Sequence, residues 1–420
     1  MNKKIVIYII ILFSIMIIGT GVTLVINNNK KDDKKISKDI DEPYVPNDVE
    51  LDGFTYSFLK LETNKKNMVY SPLSIKYALF MLNEGASSNT KKEISDLIGD
   101  ELPTKYENID NILSLANSLF IRDSYKKHVL NTYVDTLKEK FNAEVFYDEF
   151  KDASNVNNWI EEKTFKIIKN MLKDEQVQNP NLEMILVNAL AIDMEWQNKF
   201  EEESTTSRPF LREEDEINVA MMHKSSSLPS NMYYQDDKYN ALLMPLKKYE
   251  DTSLEFIVIM PNSISLDSFL KDDKVEENIN NVLNKLHSVN ESEELSISIP
   301  RFEYEYSLRL KDDLQVLGIK DAFAENADFS NMSDSELQVS DALHKANIKL
   351  SEKGIKAGAA TVILMTDKAS FPEEKEYKYL NFNKPFMYII RDSKTHECWF
   401  VGTVYEPLLW ENVKDDYNYR

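Results

Sequence analysis

Between Met184 and Ile192 the chain reads MILVNALAI: nine residues without a charge, with Asn188 as the one polar side chain. It is the centre of a nearly unbroken apolar stretch from Leu182 that ends in Trp196 and Phe200. A run with no polar alternation is a strand buried on both faces, because a strand with one wet face would show a polar residue at every second position. The sheet that holds it therefore needs cover on both sides. The chain has a single cysteine, Cys398, so no intrachain disulfide is available and the fold rests on its hydrophobic core.

A second strand signal lies at His344 to Ser351, where Ala346, Ile348 and Leu350 share one face. It runs into EKGIKAGAAT, which holds two of only nine glycines, Gly354 and Gly358, among the small residues Ala357, Ala359, Ala360 and Thr361. Carried on as a strand, Ile355, Ala357, Ala359 and Thr361 take one face, and Lys356, Gly358 and Ala360 the other. Small side chains can slip between two existing strands without clash, Gly354 frees the backbone to turn, and Lys356 can stay in water. Such a loop can extend its sheet. The plain alternative is a Gly/Ala loop of no consequence.

Motifs along the rest of the chain decide between these. Phe54, Phe58 and Leu59 form a helical face with Tyr56 nearby. Ser71-Pro72 predicts a helix start, serine as N-cap and proline in the first turn, with Ile75, Ala78, Leu79 and Leu82 on its inner face and Gly85 at its end. Thr90 with Glu93 reads as the capping box of the next helix. Val156 to Leu172 predicts an amphipathic helix with Trp159 and Ile160 inside; Ala241 to Asn262 predicts two paired strands. The strings N-x-x-x-S-P-x-S-I at Asn67, N-x-W-I-x-x-x-T at Asn157, L-V-N-A at Leu186 and D-A-F…A-D-F-S-x-M from Asp321 follow in order. With the hinge string EKGIKAGAAT they resemble the serpins, inhibitors that trap a protease by inserting a loop into a sheet. The likeness covers about Leu51 to Pro407. It departs locally at Ile192-Asp193-Met194, where Phe-Lys-Gly is usual, and at Ile355 and Lys356, where Thr and Glu are common.

The resemblance implies a mixed α+β fold with a large central sheet, further sheets, about eight to nine helices and an exposed reactive loop. It implies a hinge at Gly354, Ile355, Lys356, Ala357, Gly358, Ala359, Ala360 and Thr361. It implies a polar shutter of Ser71, Ser74, Asn188 and His344 beneath the opening sheet, and a tryptophan, Trp196, at the breach where insertion begins. Counting fourteen residues from the hinge glycine puts the scissile bond at Lys368-Ala369, with Lys375 and Lys378 as rival positions. A lysine there suits a trypsin-like serine protease, which would be a covalent partner. Asp367 before it narrows the range of such enzymes, and the acidic FPEEKEYKY after it could touch the target outside its active site.

Other classes are disfavoured. No G-x-S-x-G, phosphate loop or dinucleotide fingerprint occurs, so an enzyme is not expected, nor a cofactor. His396-Glu397-Cys398 offers too few ligands for a metal. A net charge of −21 argues against nucleic acid and for solubility, and a monomer is expected. Residues 1–26 read as a signal anchor: Ile5 to Ile26 carries no charge over 22 residues, about 33 Å as a helix. Residues 27–48 read as a flexible polar linker, 49–409 as the domain and 410–420 as a polar tail. Lys30, Lys31, Lys34, Lys35 and Lys38 outnumber Lys3 and Lys4, which by charge alone places the domain in the cytoplasm. The resemblance implies the opposite, a domain outside the cytoplasm, anchored or, if the leader is cleaved, secreted.

Overall fold

The structure, a computed structural model, describes residues 5–14, 54–229, 232–286, 292–355 and 377–414, and for 5–14 the backbone path alone. It is mixed α+β, with three sheets among the described residues. The central sheet has eight strands, in the order β4 (Glu144–Asp148), β3 (Leu113–Arg122), β5 (Leu182–Ile192), β1 (Ile5–Ser14), β14 (Leu337–Ser351), β15 (Gly354–Ile355) and β6 (Met194–Glu195), with β13 (Phe302–Leu308) also paired to β14. A second sheet runs β2 (Met68–Tyr70), β18 (Cys398–Val404), β17 (Phe386–Asp392), β11 (Leu254–Pro261), β10 (Tyr239–Pro245) and β9 (Tyr233–Gln235). The third runs β16 (Lys378–Asn381), β12 (Ser292–Pro300), β8 (Glu216–Pro229) and β7 (Thr206–Leu211). The expected pair of strands at 241–262 is β10 and β11, joined antiparallel.

The apolar run is buried on both faces as β5. Leu186, Leu190 and Ile192 enter the main core, which the central sheet shares with the second sheet and with α2 (Pro72–Gly85). Ile185, Val187 and Ala189 point the other way, into a smaller core of Phe120, Val156, Trp159, Ile160 and Leu343 beneath α5 (Ser154–Lys163). Helix α2 begins as its sequence predicts: Ser71 accepts the backbone N–H of Ser74 at 3.0 Å, and Pro72 occupies the first turn. Gly85 is its last residue, and a Cβ there would collide with Met332.

Two helix boundaries differ from the sequence reading. The helix after α2 spans Ser88–Ile98, so Thr90 and Glu93 are not its capping box. Thr90 Oγ1 accepts from Asp328 N, and the Glu93 carboxylate accepts from Lys320 N and Asp321 N. The side chains serve a distant loop rather than their own helix. Helix α5 stops at Lys163 instead of Leu172, since Phe165 and Lys166 take positive φ of 52° and 63°. Asn157 exchanges two hydrogen bonds with the backbone of Leu172, which turns the chain back on itself.

The N-terminus shows a larger difference. The described part of the expected membrane helix, Ile5–Ser14, is strand β1, parallel to both β14 and β5. No helix among the described residues is long and apolar enough to cross a membrane. An unbroken apolar run satisfies either destination, because a central strand covered on both faces and a bilayer span make the same demand on side chains. Residues 15–26 lie outside the described residues.

Candidate functional site

Several polar residues inside the central sheet form one chain of hydrogen bonds. Strands β3 and β5 are antiparallel with Asn117 directly opposite Asn188. Asn188 donates from Nδ2 to Asn117 Oδ1 at 2.7 Å, and Asn117 donates on to Phe141 O at 2.9 Å. On the other side Asn188 Oδ1 accepts the Ser74 hydroxyl. Ser71 N–H donates to His344 Nε2 at 3.1 Å, which ties the start of α2 to β14. An accepting Nε2 places the ring proton on Nδ1. Ser71, Ser74, Asn188 and His344 are all fully buried, so each must be satisfied within the protein. The network spans from β3 across β5 to β14, with α2 as its bridge.

At the upper end of the sheet Trp196 follows β6 and is 2 % exposed. Its indole N–H donates to Ser351 O at 2.8 Å, its backbone N–H donates to Lys353 O at 3.0 Å, and its ring packs edge-on against Phe256. Strand β14 turns here at Glu352-Lys353 and returns as β15, with Ser351 opposite Gly354 and Leu350 opposite Ile355. The other edge of β15 pairs with β6, Gly354 with Glu195 and Ile355 with Met194. Gly354 has φ +156° and lies so close to Met194 O that any Cβ would overlap it. Ile355 is fully buried.

The turn is held by groups the sequence reading passed over. Glu352 is 4 % exposed. Its carboxylate accepts from Thr205 Oγ1 at 2.6 Å and faces Arg301 Nε at 3.8 Å, while its carbonyl accepts Phe200 N–H at 3.0 Å. Lys353 pairs with Glu202 at 3.0 Å. Close by, Lys224 lies over the Phe200 ring, 4.6 Å from its centroid, and donates to Asn198 O at 2.9 Å. Burial pulls its pKa down to about 8. Asn117 was equally missed. Its signal was available, a lone amide inside the apolar LANSLF; Glu352 had none, since a carboxylate in a turn reads as solvated.

Lys356 to Thr361, Lys368, Ala369 and Lys375 lie outside the described residues. The chain re-enters at Tyr377, and Lys378 stands in β16 with its ammonium on Glu293, at 2.7 and 2.6 Å from the two carboxylate oxygens. As a rival scissile position, Lys378 is held in a sheet. His396 has a positive φ of 60° in the turn between β17 and β18, where Glu397 accepts Thr104 N–H. Among the described residues no group of three or more metal-ligating side chains comes together.

The chain as a whole is matched by known proteins. The family model described as serpin (serine protease inhibitor) matches residues 53–407. The chain belongs to the serpin family. Mouse neuroserpin is similar at 27% identity, over 86% of this chain and 91% of neuroserpin. Human leukocyte elastase inhibitor is 29% identical over 83% of this chain and 96% of its own. Among solved structures, the thermophilic serpin tengpin in its native state superposes with TM-score 0.67 at 27% identity, covering 84% of this chain and 92% of tengpin. A thyroxine-binding globulin complex with thyroxine gives 0.66 at 26% identity, covering 84% and 97%. The serpin fold expected from sequence is therefore established. Serpins are for the most part protease inhibitors that bind their targets rather than enzymes, and the family also includes non-inhibitory members such as that globulin.

Proposed function

We propose that the protein is a suicide-substrate inhibitor of trypsin-like serine proteases, with the bond Lys368-Ala369 as bait. The observation that carries this reading is the hairpin at Gly354–Ile355, already paired into the mouth of the central sheet and followed in sequence by Ala357, Gly358, Ala359, Ala360 and Thr361. The protease serine attacks the Lys368 carbonyl, an ester to the enzyme forms, and the Ala369 amine leaves. The freed strand then continues the hairpin into the sheet and carries the ester-linked protease with it, roughly 50 Å if about fifteen residues become strand. Distortion of the protease's triad and oxyanion hole stops water from releasing the ester. Energy for this is held behind a kinetic barrier in a fold whose loop has yet to become a strand of the sheet.

Ser71, Ser74, Asn188 and His344, with Asn117, act in this reading as the shutter, a polar network beneath the gap between β5 and β14 that the loop must enter. Trp196, with Glu352 and Arg301, forms the breach. The protein works outside the cytoplasm as a monomer, and the apolar run Ile5–Ile26 is long enough to hold it on a membrane when β1 leaves the sheet. The second reading is a serpin that only binds or carries. It is favoured by Lys356 beside a buried Ile355, where the family commonly has Glu and Thr.

One gel separates the two. The chain from residue 49 onward, mixed with trypsin, should give a covalent complex that survives boiling in detergent. Degradation of the loop alone, at every enzyme ratio, sinks the inhibitory reading. Mass spectrometry of the released C-terminal fragment should show Ala369 as its first residue; a start at Glu376 moves the bond to Lys375.

A further inference from the structure

We infer that the N-terminal strand β1 is an internal competitor for the slot that the reactive loop must enter, so that the full chain restrains its own trapping step. This rests on the inhibitory reading. Strands β5 and β14 do not touch along the middle of the sheet: β1 lies between them and pairs with both, Ile5 to Leu12 along Leu337 to Lys345, and Val6 to Ser14 along Leu182 to Ala191. The hairpin enters the same gap from above. On its β14 edge, Leu350 pairs with Ile355 and Ser351 with Gly354. Carried down at one residue per residue, this register puts Thr361 opposite His344, where Ile11 now pairs. On the other edge Ile355 pairs with Met194, so Gly358 would fall opposite Ala191, the partner of Ser14.

Insertion can therefore advance to about Ala357 before it meets β1. Beyond that, loop and β1 need the same backbone donors and acceptors on both neighbours, and a strand ladder cannot be shared. The directions differ as well: β1 is parallel to its neighbours and the loop, continuing an antiparallel hairpin, would run opposite to them. One cannot slide along the other; β1 must leave. Residues 15–53 link it to α1 (Phe54–Glu62), and a link of that length reaches on the order of 100 Å when extended, enough for departure without unfolding the domain. Its composition suits a bilayer as the alternative home. A membrane would thus withdraw the competitor and release the trap.

Hydrogen exchange on the full chain in buffer without detergent tests occupancy with no reference to proteases. Amides of residues 6–14 should be protected to the level of β5; free exchange there overturns the inference. A disulfide variant, Ile9→Cys with Ala342→Cys, joins a pair in register and should oxidise readily, and failure to cross-link counts against it as well. Trapping is then compared. The full chain should be cleaved by trypsin as a substrate, without the boiling-resistant complex, whereas the chain from residue 49 traps. Phosphatidylcholine–phosphatidylglycerol vesicles should restore trapping to the full chain, though not to the oxidised cysteine pair. Equal trapping by full and shortened chains, with residues 6–14 protected, refutes the restraint. If neither form traps, the inhibitory reading fails and the restraint goes with it, while exchange and cross-linking still decide whether β1 occupies the slot.

Discussion

At the scale of the residue, Asn188 is the polar side chain on which most depends. Its amide satisfies Asn117 on one side and Ser74 on the other, all three buried. Asn188→Ala would strand both, at about 1–3 kcal/mol for each lost partner, so thermal unfolding should fall by several degrees. Lys224 gives a pH test. Its folded pKa, about 8, lies below that of a free lysine, so between those values the unfolded chain binds more proton and stability contributed by this site rises with pH. Below pH 8 both states are protonated and the full desolvation penalty applies. Lys224→Met should therefore be more stable than the parent at pH 7, by about 1–3 kcal/mol, with the advantage shrinking toward pH 10. A constant difference across that range contradicts the assignment. Cys398, whose thiol burial pushes up to about 12, should resist iodoacetamide until the protein unfolds.

At the scale of the element, the hairpin β14–β15 is the part that sits between fold and function. It depends on Gly354, because β6 passes too close for a side chain. Gly354→Ala should unpair β15, raising exchange at the Ile355 amide and costing about 1–3 kcal/mol, while β14 below Leu350 keeps its protection. If Ile355 stays as protected as in the parent, the close approach is not what holds the hairpin. The groups that anchor the turn, Glu352 with Thr205 and Arg301, come from three distant parts of the sequence.

At the scale of the whole molecule, the inhibitory reading requires a native state less stable than one with a completed sheet. Cleavage at the loop of the chain from residue 49 should raise its unfolding temperature by roughly 10 °C or more, since a new strand buried on both faces adds several kcal/mol. Ala359→Arg should cancel that gain. Ala359 shares a face with Ile355, which is buried, so an arginine there would put an unpaired charge into the core on insertion. The scissile bond is untouched, so the variant should be cleaved at the normal rate and behave as a substrate. Full trapping by Ala359→Arg would disprove insertion as the mechanism.

Periodicity and local chemistry were enough to mark the double-faced burial of β5, the alternation of Ala346, Ile348 and Leu350, the Ser71-Pro72 helix start and the small-residue hinge. Each of these follows from how a side chain meets its immediate surroundings, and neighbours in sequence carry that information. The order of motifs then marked the fold. The destination of Ile5–Ser14 was beyond that reach, because sheet core and bilayer ask for the same residues and only the gap between β5 and β14 distinguishes them. The same holds for Glu93 and Thr90, which look like a capping box and instead bind a loop more than two hundred residues away. Asn117 and Glu352 acquire their roles only when β3 meets β5 and when Arg301 and Thr205 close around the turn. Partners set by long-range packing leave no period in the sequence, so those parts of the site were decided by the tertiary structure alone.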